Sequence, residues 1–154
     1  MFDADAVSAV TFDSYSTLVD VDSVERALAD RVAEPRPVSR LWRTRSLEYT
    51  LVANHVDAYD TFYELNRDAL TYALAAHGVE TTSEEREEIL SAYHDLDVFA
   101  DVRRSVERLT SAGYPCYVVS NGNPEMLESM VEGAELGGLL DGVVSAHEVE
   151  RFKP

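Results

Sequence analysis

Short apolar runs alternate with longer amphipathic stretches along this chain, and the alternation predicts most of its elements. Ser8-Ala-Val-Thr-Phe12 is apolar and β-branched and gives way at once to Asp13-Ser-Tyr-Ser-Thr17, the pattern of a buried strand ending in a polar loop. From Ser23 to about Leu96 the character turns helical. Leu41, Trp42, Leu47, Leu51 and Val52 make a rough helical stripe, interrupted by Arg40, Arg43, Arg45 and Glu48. A second helix is predicted from Ala58 to His77, with Phe62, Leu65, Ala69, Tyr72 and Ala73 recurring at helical spacing and Gly78 as its stop. A third starts near Thr82-Ser-Glu-Glu, with a hydroxyl available as N-cap, acidic residues in the first turn, and Ile89, Leu90 and Tyr93 on its apolar side.

Strand and helix then alternate. Val102 to Ala112 reads as a helix closed by Gly113, and Pro115 to Ser120 as a second buried strand. Pro124 opens another helix, reaching Glu132, and Gly142 to Ser145 is a third strand. Short apolar strands separated by helices imply an α/β fold with a parallel sheet, because parallel neighbours need crossover connections. The layout is discontinuous: residues 1–20 and 97–154 form the sheet-bearing core, and residues 21–96 are an inserted helical cap. In such sheets chemistry gathers at the carboxyl ends of the strands, here Asp13 to Thr17, Ser120-Asn121 and Ser145.

Charge narrows the partners. Acidic residues number 29 against 13 basic ones, for a net charge of −16, and Lys153 is the sole lysine. Such a chain repels DNA, RNA and anionic membranes, so no nucleic-acid or membrane partner is expected. Abundant Asp and Glu with almost no Lys fits a salt-adapted cytoplasm, where about 1 M salt shortens the screening length to about 3 Å; an ordinary acidic protein is the alternative. Cys116 alone permits no intrachain disulfide, and the acidic start Met1-Phe2-Asp3-Ala4-Asp5 lacks the basic region of a secretory signal, both in keeping with a cytoplasmic location. His55, His77, His94 and His147 show no metal-ligand spacing.

An Asp after a strand is by itself compatible with a turn or a helix cap. Its company is more specific: Phe12-Asp13-Ser14-Tyr15-Ser16-Thr17-Leu18, Leu41-Trp42-Arg43 with Leu47-Glu48-Tyr49-Thr50, Val119-Ser120-Asn121-Gly122, and Lys153-Pro154, in that order. This set resembles the type II, or L-2-, haloacid dehalogenases of the haloacid dehalogenase superfamily over nearly the whole chain. The resemblance implies a Rossmann-like parallel sheet, three of its strands present here, and a helical cap. It also implies hydrolysis of small (S)-2-haloacids to (R)-2-hydroxyacids through an aspartyl ester, since a carboxylate can displace halide from the α-carbon.

Asp13 would be the nucleophile. Superfamily phosphatases carry a second Asp two positions later; Tyr15 stands there instead, halide needs no proton to leave, and no metal or other cofactor is expected. Thr17 would hydrogen-bond around the nucleophile, Ser120 would help hold the substrate carboxylate, and Asn121 and Arg43 would cradle the halide. Lys153 would sit beside Asp13 and offset the substrate's negative charge. Ser14, Tyr15 and Trp42 join Arg43, Ser120 and Asn121 as candidate substrate contacts. Alternatives stay open: a solvated helix residue for Arg43, a surface charge for Lys153, a plain strand-to-helix turn for Ser120-Asn121. Ser16 stands where the family has Gly; if that backbone needs a positive φ, Ser costs about 1 kcal/mol. Family members continue past the Lys-Pro motif with two further strands and the acidic residue associated with ester hydrolysis, so the chain is expected to lack that C-terminal part. The competing readings are a Mg²⁺-dependent small-molecule phosphatase and a truncated, non-enzymatic protein. A homodimer is expected by family analogy alone.

Overall fold

A computed structural model describes residues 6–153; Pro154 of the Lys-Pro motif and the acidic Met1–Asp5 start lie outside it. Strand β1 (Val10–Phe12) lies parallel to β4 (Cys116–Ser120), and β4 lies parallel to β5 (Gly142–Ser145), in the order β1-β4-β5. Helices α5 (Val102–Ser111) and α6 (Pro124–Gly133) flank β4 in sequence and supply its crossovers. Their apolar sides close a cluster around Val102, Val106, Cys116, Val118, Leu127 and Met130. The α/β class and the three parallel strands expected from the sequence are what the chain forms.

Between β1 and α5 runs the helical layer: a short α1 (Glu25–Ala29), then α2 (Pro35–Val56), α3 (Phe62–Ala76) and α4 (Ser83–Leu90). Local chemistry sets their ends. Thr61 caps α3 through its hydroxyl, and Thr82 with Glu85 forms a reciprocal capping box on α4. Gly78 (φ 68°) and Gly113 (φ 87°) leave their helices in the left-handed region, as a helix stop requires. A second cluster joins Leu28, Val38, Trp42, Phe62, Leu70, Leu74, Ile89 and Leu90, and sheet-side Met126, Ala146 and Phe152 enter it.

Two findings differ from the sequence expectation. A two-residue antiparallel pair, β2 (Val19–Asp20) with β3 (Asp97–Val98), joins the points where the chain leaves and re-enters the sheet layer; strands this short carry no periodicity to read. The buried face of α2 is Val38, Ser39, Trp42, Ser46, Thr50 and Ala53, whereas Leu47, Leu51 and Val52 of the expected stripe are exposed. Thr50 Oγ1 donates to Leu47 O of its own helix (2.8 Å), and Ser46 Oγ has two acceptors in reach, Trp42 O of its own helix (3.0 Å) and Asn66 Oδ1 of α3 (2.8 Å), so these two hydroxyls face inward without an unpaired polar group.

Candidate active site

The carboxyl ends of the three parallel strands meet at one edge of the sheet, and short hydroxyl bonds stitch them together. Ser14 Oγ and Ser120 Oγ lie 2.5 Å apart, Gly122 N–H donates to Ser120 Oγ (3.1 Å), and Ser145 Oγ donates to Gly122 O (2.6 Å). After β1 the chain folds back tightly. Ser14 O accepts from the N–H groups of Leu18 (2.8 Å), Thr17 (3.2 Å) and Val19 (3.2 Å). Ser16 takes φ 64° to complete this turn, the conformation for which Gly is the unstrained residue. Asp13 is thereby presented with its side chain 47% exposed rather than consumed as a cap.

Lys153 arrives from the far end of the sequence. Its Nζ donates to Asp13 Oδ1 at 2.6 Å and also to Val119 O, while its backbone N–H donates to Asn121 Oδ1 at 2.7 Å. Asn121 therefore does more than line the opening: it fixes the main chain from which the lysine extends.

Above Asp13 a cavity of about 80 Å³ opens between the two layers. Asp13, Arg43, Ser46 and Asn121 supply its polar wall, and Tyr15, Leu47, Phe62 and Tyr93 its apolar wall. Arg43 has no carboxylate in ion-pair range among the described residues, so the cavity is lined by a guanidinium of the helical layer and a carboxylate of the sheet that do not form an ion pair with each other. Burial pushes the Tyr93 phenol up to about 12, and the nearby Arg43 charge pulls it partly back. Tyr15 is raised further, chiefly by burial and then by the charges near it, and its hydroxyl has no hydrogen-bond partner among the described residues. It rests against Gly122, where a Cβ would lie 2.7 Å from that oxygen. Its ring stacks on Phe62 (5.4 Å) and meets Tyr93 edge-on (5.7 Å).

Other expected contacts are placed differently. Trp42 is wholly enclosed, donates its indole N–H to Asn66 O (2.9 Å) and packs edge-on to Tyr93 (5.1 Å), so it stands behind the cavity wall. Ser14 and Ser120 are fully buried and spend their hydroxyls on each other and on Gly122 rather than on the cavity. Thr17 is exposed, and no bond from its hydroxyl to Asp13 forms among the described residues. His94 bonds Ser129 (3.0 Å) and His147 bonds Tyr59 (3.0 Å). Among the described residues no three His, Cys, Asp or Glu side chains converge as a metal site would require. Leu47, Phe62 and Tyr93 belong to helical stripes in the sequence, and their place in the cavity wall comes from how α2, α3 and the turn after α4 meet, which periodicity within one helix does not set.

A family description, haloacid dehalogenase-like hydrolase, matches residues 7–154. The chain is 37% identical over 151 residues to (S)-2-haloacid dehalogenase 4A of Burkholderia cepacia, covering 97% of this chain and 65% of that protein. It is 32% identical to (S)-2-haloacid dehalogenase 1 of Pseudomonas sp. (strain CBS-3), covering 97% of this chain and 66% of that one. The solved structure of L-2-haloacid dehalogenase from Xanthobacter autotrophicus superposes with a TM-score of 0.90 at 32% identity, over 96% of this chain and 60% of that one. A structure of that dehalogenase with chloropropionic acid covalently bound superposes equally well, at 0.90. The chain thus spans about 65% of the length of the curated relatives it matches. With the fold, the strand-end carboxylate and the family match in agreement, the chain belongs to the haloacid dehalogenase-like hydrolases.

Proposed function

We propose that the protein dehalogenates small (S)-2-haloacids to (R)-2-hydroxyacids through an ester on Asp13. The observation that carries this reading is one small cavity lined by both a carboxylate, Asp13, and a guanidinium, Arg43, that has no ion-pair partner among the described residues. Asp13 Oδ1 is held by Lys153, leaving the second oxygen to attack C2 from the side opposite the halide. The C–X bond breaks as the C–O bond forms, and the electron pair leaves with the halide toward Arg43 and Asn121. Fixed donors at that point stabilise charge only as it develops. Water then cleaves the ester at its carbonyl carbon, returning the Asp13 carboxylate and releasing the hydroxyacid with C2 inverted once. Lys153 offsets the repulsion between substrate carboxylate and nucleophile. Thr17, Ser14 and Ser120 support the reading by holding the loop and strand ends that carry Asp13 and Asn121.

The phosphatase reading needs an acid two residues after the nucleophile. Tyr15 occupies that position with a buried, raised phenol turned against Gly122, a poor proton donor to a leaving alcohol. We further propose that core and cap divide at 20/21 and 96/97, near the β2–β3 pair. No helix among the described residues is long and apolar enough to cross a membrane. A salt-rich cytoplasm is the setting we propose, supported by the charge of −16. A homodimer has a candidate surface in the exposed Leu47, Leu51, Val52, Val56 and Tyr72 of α2 and α3.

The test is halide release from (S)-2-chloropropionate in high salt, beside Asp13→Asn. Release by the wild type and loss of at least about a hundredfold in the mutant is expected; equal release removes the nucleophile, and Mg²⁺-dependent phosphate release from small esters would favour the phosphatase.

A further inference from the structure

We infer that Asn54, in the last turns of α2, is a positioning residue for Lys153, and that through it the helical layer sets the ammonium beside Asp13. The inference rests on the proposed reading of Asp13 and Lys153 as a working pair.

Asn54 Nδ2 donates to Phe152 O (2.9 Å), and Phe152 N–H donates to Asn54 Oδ1 (3.0 Å), across 98 positions of sequence. One side-chain amide thus satisfies both main-chain polar groups of a single residue, as a neighbouring strand would. Two bonds in opposite directions restrain sliding as well as rotation, which one bond cannot. The next donor along, Lys153 N–H, goes to Asn121 Oδ1 (2.7 Å). Consecutive backbone groups are therefore gripped by two asparagines, one from each layer of the fold. Phe152 itself is buried, with the Tyr59 ring 5.1 Å away.

Asn is a poor residue for the interior of a helix because its amide competes for backbone partners. Here it bonds none of the α2 backbone, and Phe152 is its partner among the described residues. Arg43 lies about three turns earlier on the same helix, roughly 16 Å along its axis and near the same face. A single helix hence presents the cation of the Asp13 cavity near its middle and the grip on the lysine segment near its C-terminal end. A lysine side chain has four rotatable bonds, so fixing its main chain is what makes the 2.6 Å contact with Asp13 reproducible.

Because Lys153 is the only lysine, ¹⁵N-lysine labelling gives one side-chain ammonium resonance. The wild type is expected to show it protected from solvent exchange, and Asn54→Ala to broaden or lose it. The first-order rate of Asp13 ester formation at saturating (S)-2-chloropropionate should fall about tenfold in Asn54→Ala, since small misplacements of reacting groups cost that much or more. Half-saturation should move less, because Arg43 and Asn121 remain. Asn54→Asp keeps the acceptor for Phe152 N–H and should recover part of the rate and the signal; it also serves if Asn54→Ala does not fold. Lys153→Met separates the failures. If Lys153→Met leaves ester formation intact, the reading of the pair falls. If Lys153→Met is slow while Asn54→Ala and Asn54→Asp keep wild-type signal and rate, the positioning role alone falls.

Discussion

Lys153 places its ammonium 2.6 Å from Asp13 Oδ1 across 140 positions of sequence, so the two ends of the described chain make one site. The pair is part-exposed, and a surface ion pair of this kind contributes little to stability. Its consequence is chemical: it orients one oxygen, while no bond to the other forms among the described residues, in a cavity that Arg43 also lines.

The loop that presents Asp13 is strained at Ser16, which holds φ 64° with a side chain that disfavours it. Ser16→Gly should raise stability by about 1 kcal/mol, read as a higher urea midpoint at unchanged slope. A lower midpoint would mean that the serine side chain itself supports the turn.

Trp42 acts behind the cavity wall rather than in it. Trp42→Phe removes the indole bond to Asn66 O and leaves a small void, at a cost of about 1–3 kcal/mol. Denaturation should show that loss while half-saturation by haloacid stays unchanged. A large rise in half-saturation without destabilisation would make Trp42 a substrate contact after all.

Alkali should unfold the protein through its buried phenols. Tyr93 is raised from 10.0 to about 12, and Tyr15 is raised as well, so between these limits the folded state binds more protons than the unfolded one. Their stabilising effect is complete below pH 10 and is lost as pH climbs toward 12, by roughly 2–3 kcal/mol for Tyr93 at the upper end. Tyrosinate absorbance should show ionisation of fewer than all 8 tyrosines until a cooperative step coincident with loss of helix. A smooth titration of all 8 without unfolding would contradict the burial of this pair.

What the sequence made legible was local or periodic. The Thr82–Glu85 cap, the stops at Gly78 and Gly113, and the strand Gly142–Ser145 follow from short-range chemistry and form where expected. The facing of α2 did not, because Thr50 turns inward by bonding its own helix and Ser46 by reaching Trp42 O and Asn66 Oδ1 of α3, while Leu47 and Leu51 turn out. That rotation hides Trp42 and brings Leu47 to the cavity edge. Asp13, Arg43, Asn121 and Lys153 were identified by motif and converge in space, whereas the buried Ser14–Ser120 bond and the grip of Asn54 on Phe152 connect residues that no spacing relates.

The most direct measurement is peptide mass mapping after brief exposure to (S)-2-chloropropionate and an acid quench. The account predicts that the peptide containing Asp13 gains one propionate unit in place of a proton, with the modification on Asp13 and one halide released per ester. An adduct on any other residue, or halide release with Asp13 never modified, would contradict it.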